Sequence, residues 1–120
     1  MTDLRHLAVT AEMRYQLGIP ADRWSVLNRG RTAFQTRGRR MNADCVPDAE
    51  YVGAAGLIAV ESDTGTYTTT LVKEKLQSFD GRYQEIVWGT VSGVRQARLK
   101  SKVIDWKVRV KFLDATWWTH

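Results

Sequence analysis

The chain has 120 residues, 43% of them hydrophobic, and 18 Lys and Arg against 13 Asp and Glu, a net charge of +5. That is enough chain for one core and too little for two, so residues 1–120 are expected to form a single domain. One cysteine excludes an internal disulfide framework, and two His and one Cys far apart in the chain cannot make a zinc site.

No apolar run approaches the ~20 residues that span a bilayer. The start, Met1-Thr-Asp-Leu-Arg-His, lacks the apolar stretch of a secretory signal. A cytoplasmic protein without a membrane partner is the expectation. The charge is unevenly spread. Residues 1–50 carry eight cations and six anions, residues 51–94 three and five, and residues 95–120 seven and two.

From Leu4 to Leu17, Leu4, Leu7, Ala8, Ala11 and Tyr15 recur at helical spacing, with Thr2 or Asp3 as N-cap and Gly18 as a left-handed stop. An alternative starts the helix after Thr10. Pro20 then suits the first position of a short helical segment from Ala21 that ends at Gly30, with Trp24 and Leu27 facing the core. Residues 29–40 hold Arg29, Arg31, Arg37, Arg39 and Arg40 around Phe34, with two glycines, and read as a loop or hairpin arm. Met41 to Glu50 is a connector whose acids Asp44, Asp48 and Glu50 read as surface groups, although such carboxylates have the chemistry to hold Mg²⁺.

The apolar run Ala54 to Val60 is too short for periodicity to assign, and the polar stretch 61–66 after it marks a turn. Tyr67 to Leu76, Tyr83 to Val91 and Val103 to Leu113 are predicted as three strands. Asp80-Gly81 would close a hairpin between the first two, giving an antiparallel meander. Gly89 in mid-strand signals a bulge or a close backbone approach. The fold class expected is α+β, a helical N-terminal portion packed on a curled antiparallel sheet.

Function is read from the cations. In the last predicted strand Ile104, Trp106, Val108, Val110 and Phe112 share one parity, and Lys107, Arg109 and Lys111 the other. That alternation would hold out a cationic row, joined by Arg95, Arg98, Lys100 and Lys102 from the preceding turn. Such cations grip phosphates and release counterions. The arginine-rich segment 29–40 adds planar forks suited to bidentate phosphate contacts. Trp117 and Trp118 are adjacent, so at least one indole should be free to stack on a base.

These residues together predict a small non-enzymatic nucleic-acid-binding protein, RNA being favoured slightly over DNA, without a cofactor. The unpaired edges of a meander would also permit a homodimer. The competing expectation is a structural or assembly subunit, such as a phage or virus particle component, using the same surfaces as protein interfaces. No catalytic signature is evident: His6 and His120 sit at the termini, and no glycine pattern matches a nucleotide-binding loop.

Overall fold

A computed structural model describes residues 4–27 and 45–115. Helix α1 (Leu4–Leu17) leads through a one-turn 3-10 helix (Ala21–Arg23) into strand β1 (Trp24–Val26). Strands β2 (Ala49–Val52) and β3 (Leu57–Asp63) follow, then helix α2 (Thr69–Asp80), strand β4 (Glu85–Thr90), helix α3 (Gly93–Trp106) and strand β5 (Lys111–Asp114). The five strands form one sheet in the order β1-β2-β3-β4-β5. Pairing is antiparallel from β1 to β3 and parallel from β3 to β5.

The fold is α+β with its N-terminal helix on a sheet, but the sheet is mixed and the expected C-terminal meander is absent. Two helical crossovers replace it. Tyr67 to Leu76 looks strand-like because of its Thr and Tyr content, yet Val72, Lys75, Leu76 and Phe79 fall on one helical stripe and are buried. Thr68 starts this helix by accepting a hydrogen bond from the Leu71 N–H at 3.1 Å. Asp80-Gly81 is therefore a helix end.

The basic C-terminal run is corrected in the same way. The alternation 104 to 112 straddles a helix end, a connector and a short strand. Ser92 caps α3 on the Arg95 N–H, Leu99 and Val103 give it a buried stripe one turn apart, and Lys107 ends it in a left-handed conformation with φ 60°. A single residue with φ > 0 is what converts the apparent alternation into a change of direction.

Three layers result. On one side of the sheet α2 and α3 bury Val72, Leu76, Phe79, Leu99 and Val103 against Ala59, Ile86 and Trp88. On the other, α1 buries Val9 and Met13 against Val60 and Val87. Both crossovers pass on the same face, as two successive right-handed βαβ units moving in one direction must. Gly89 marks the close approach that its position implied: a Cβ there would lie 2.5 Å from Met13 Sδ. Gly18, with φ 71°, stops α1 as expected.

The face of α1 is shifted from the one the apolar spacing suggested. Leu7 and Tyr15 are exposed, whereas His6, Val9, Thr10 and Met13 point inward. Two of those four are polar, and their burial needs partners.

Candidate functional site

The partners lie at the C-terminal end of β3. Apolar Ile58, Ala59 and Val60 give way abruptly to Glu61, Ser62 and Asp63, all three fully buried. Alternation sends Glu61 and Asp63 toward α2 and α3 and Ser62 toward α1. Because Ala49 pairs with Val60, Asp48 at the entry to β2 lies opposite Glu61. The Asp48 backbone N–H donates to Glu61 Oε1 at 3.1 Å. Asp48 Oδ2 accepts both the backbone N–H and the hydroxyl of Ser62, each at 2.6 Å.

Glu61 is the hub. Its Oε2 lies 3.1 Å from Lys75 Nζ on α2 and accepts the Tyr67 hydroxyl at 2.9 Å. His6 Nε2 stands 3.2 Å from that same hydroxyl, and the Thr10 hydroxyl bridges the His6 carbonyl and the Ser62 hydroxyl. Since the Tyr67 proton is committed to Glu61, His6 must donate from Nε2. Lys75 also lies 3.9 Å from the buried Cys45 thiol and 5.1 Å from the Tyr67 ring centre.

Asp63 heads a second, adjoining set. It accepts Trp88 Nε1 at 3.0 Å, Arg95 Nε at 2.8 Å and the Gly65 N–H at 2.8 Å. Arg95 also reaches the Tyr67 carbonyl. This set ties the starts of both crossovers to the sheet, whereas Glu61 pairs with Lys75 and the Asp48 N–H, and the Asp48 carboxylate turns to Ser62.

Burying ions costs several kcal/mol each before pairing offsets it. Here Glu61 and Asp63 lie at the carboxyl end of β3 and are offset by Lys75 and Arg95. Among the described residues no group of three His, Cys, Asp or Glu is placed to hold a metal. The Glu61 carboxylate is taken up by Lys75, Tyr67 and the Asp48 N–H, and Asp48 Oδ2 by Ser62, so the cluster locks the fold.

The residues singled out from the sequence are distributed differently. Arg98 and Lys100 are exposed on α3 and Lys102 is half-buried there; Lys107 caps the helix; Arg109 lies in the connector; Lys111 opens β5. These six make no side-chain hydrogen bond or ion pair with another described residue. They form no single strand-borne row, since only Lys111 is in a strand, and Arg95, expected beside them, is instead ion-paired with Asp63. Arg29, Arg31, Arg37, Arg39 and Arg40, with Trp117 and Trp118, lie outside the described residues. Asp48 is buried rather than a surface acid, and His6 is held in the core rather than frayed.

Sequence reasoning missed Glu61, Asp63, Lys75 and Tyr67. The signal available was the abrupt polar triplet at the end of an apolar run, whose composition matches a turn. No family model, curated protein or solved structure matches the chain. Among the described residues no helix is long and apolar enough to cross a membrane.

Proposed function

We propose that this chain is a nucleic-acid-binding domain that grips phosphates through its exposed cations. One observation carries the reading: Arg98, Lys100, Lys107, Arg109 and Lys111 are exposed and make no side-chain hydrogen bond or ion pair with another described residue. The cations on α3 and the connector beyond it supply phosphate contacts, and they support the nucleic-acid part of the reading.

The buried Asp48, Glu61 and Lys75 are partnered within the fold and form its lock behind those cations. Tyr67 fixes Glu61 by donating to it, and His6 fixes Tyr67. Ser62 holds Asp48 through two hydrogen bonds, which preorganises its carboxylate.

The test is binding of labelled single- and double-stranded DNA and RNA across a salt series. Affinity that falls as salt rises, and that weakens in Arg98→Ala and Lys100→Ala with both variants still folded by circular dichroism, is the expected result. Absence of salt-dependent binding to any nucleic acid overturns the whole reading.

A further inference from the structure

The end of the sheet away from the buried acid cluster carries a cleft. Its volume is about 420 Å³, within the range of small-ligand sites. Ile58 forms an apolar wall, the hairpin residues Ala54 and Ala55 form another, and Glu85, Arg109 and Lys111 supply the charge.

The sheet register explains the place. Ile58 pairs with Glu85 at the start of β4, and Val87 pairs with Lys111 at the start of β5. Ile58 and Glu85 lie one step toward the amino ends of the parallel strands from the row of Val60, Val87 and Lys111, of which α1 covers the two valines. Lys111 shares its side of the sheet with Leu113, which packs in the α1 layer, so its ammonium faces the space α1 leaves open. The hairpin wall is held close: a Cβ on Gly53 would lie 2.5 Å from Ile58 Cδ1, and one on Gly56 3.1 Å from Gln84 Cβ. The Gln84 N–H also donates to the Leu57 carbonyl at 2.8 Å. Ala54 and Ala55 therefore present small side chains from a fixed backbone.

A bare phosphate would engage Arg109 and Lys111 but leave most of the volume empty, and it would gain nothing from the apolar walls. A polyphosphate would meet the Glu85 carboxylate. A ligand with one anionic end, a flat apolar body and an N–H donor matches all three features. We infer that this cleft takes one nucleotide with a terminal phosphate, the phosphate on Arg109 and Lys111 and a base bearing an exocyclic amine toward Glu85. The inference deepens the nucleic-acid reading and makes no use of the Asp48–Glu61–Lys75 cluster. Carboxylate acceptors recognise the cytosine amino group in this way.

Titration of the full chain with CMP, UMP and inorganic phosphate, followed by calorimetry or by backbone NMR shifts, tests it. CMP should bind more tightly than UMP, and phosphate most weakly. Arg109→Ala and Lys111→Ala should each weaken CMP binding roughly tenfold, as removal of a charge-assisted hydrogen bond does. Glu85→Gln should erase the CMP preference, and Ala55→Trp should block the cleft without unfolding the chain. A parallel series with cytosine-ended oligonucleotides carrying a 5′-phosphate or a 5′-hydroxyl tells a strand end from a free nucleotide: a phosphate-dependent gain assigns the former, and CMP binding alone the latter. CMP binding no tighter than phosphate, or unchanged in the Arg109 and Lys111 variants, overturns the inference. If oligonucleotides still bind in that case, the nucleic-acid reading survives and only the cleft assignment falls.

Discussion

Strand β3 has two ends of opposite character. At its amino end Ile58 borders an open cleft whose cations have no partner among the described residues; three residues later, about 10 Å along the strand, Glu61 is fully buried with Lys75, Tyr67 and the Asp48 backbone around it. Charge at the open end is solvated and adaptable. Charge at the closed end is fixed by hydrogen bonds from four elements of the chain. The difference separates a surface open to solution from a cluster that locks the fold. It also predicts where substitutions should hurt the fold.

The largest effect is expected at the closed end. Lys75→Ala leaves the Glu61 carboxylate buried without its ammonium and should cost about 3–5 kcal/mol, read from urea unfolding. Glu61→Gln combined with Lys75→Met removes both charges and should cost less than Lys75→Ala alone. A double variant worse than the single one would mean that the pair is a net source of stability rather than a net cost.

Next in size is the layer that seats α1 over this end. Gly89→Ala directs a methyl group into Met13 and should destabilise by about 1–3 kcal/mol. Met13→Ala should make the Gly89 change less harmful, a coupling that a double-mutant cycle in urea would measure. Additive effects would show that α1 rides clear of the sheet at that point.

How much of this could be read from residue order follows from what holds each part together. Helix α1 was legible from its spacing and from Gly18, and β4 from Ile86, Val87 and Trp88, because local pattern and tertiary burial agree there. The inward face of α1 was not, since His6 and Thr10 are buried by hydrogen bonds to Tyr67 and Ser62, more than fifty residues away. Helices α2 and α3 were hidden for different reasons: β-branched and aromatic residues start the first, and a helix end and connector mimic strand alternation after the second. The acid cluster depends on strand register and crossover topology, which no local spacing encodes. The cations of the cleft were legible as residues but not as a place.

A smaller effect should appear at high pH. The Tyr83 hydroxyl is partly buried and donates to Glu50 Oε1 at 2.7 Å. Burial first, and then the hydrogen bond and charge of Glu50, push its pKa well above the ordinary tyrosine value of 10.0. Tyr51 is shifted the same way by burial and by Glu85, against a smaller opposing effect of Arg23. The unfolded chain then loses these protons above about pH 10 while the folded chain keeps them, so stability falls as pH rises through that region. Below pH 10 the contribution is fully present. Tyr83→Phe should flatten the alkaline limb of urea midpoint against pH, and an unchanged slope would assign that limb to other groups.

The smallest effects on the fold belong to the open end, where they are the most informative for the comparison. Arg109 and Lys111 are exposed and make no hydrogen bond or ion pair with another described side chain that their removal would break. Replacing either by Ala should move stability by no more than about 0.5 kcal/mol, as for ordinary surface positions. The same substitutions should reduce affinity for nucleic acid and make the log–log salt dependence shallower by about 0.7–0.9 for each phosphate no longer neutralised. Binding and stability would thus part company at this end, whereas Lys75→Ala acts on stability at the other. If Lys111→Ala instead lowers the urea midpoint as much as Lys75→Ala does, the ammonium belongs to the architecture, and the division of labour along β3 is lost.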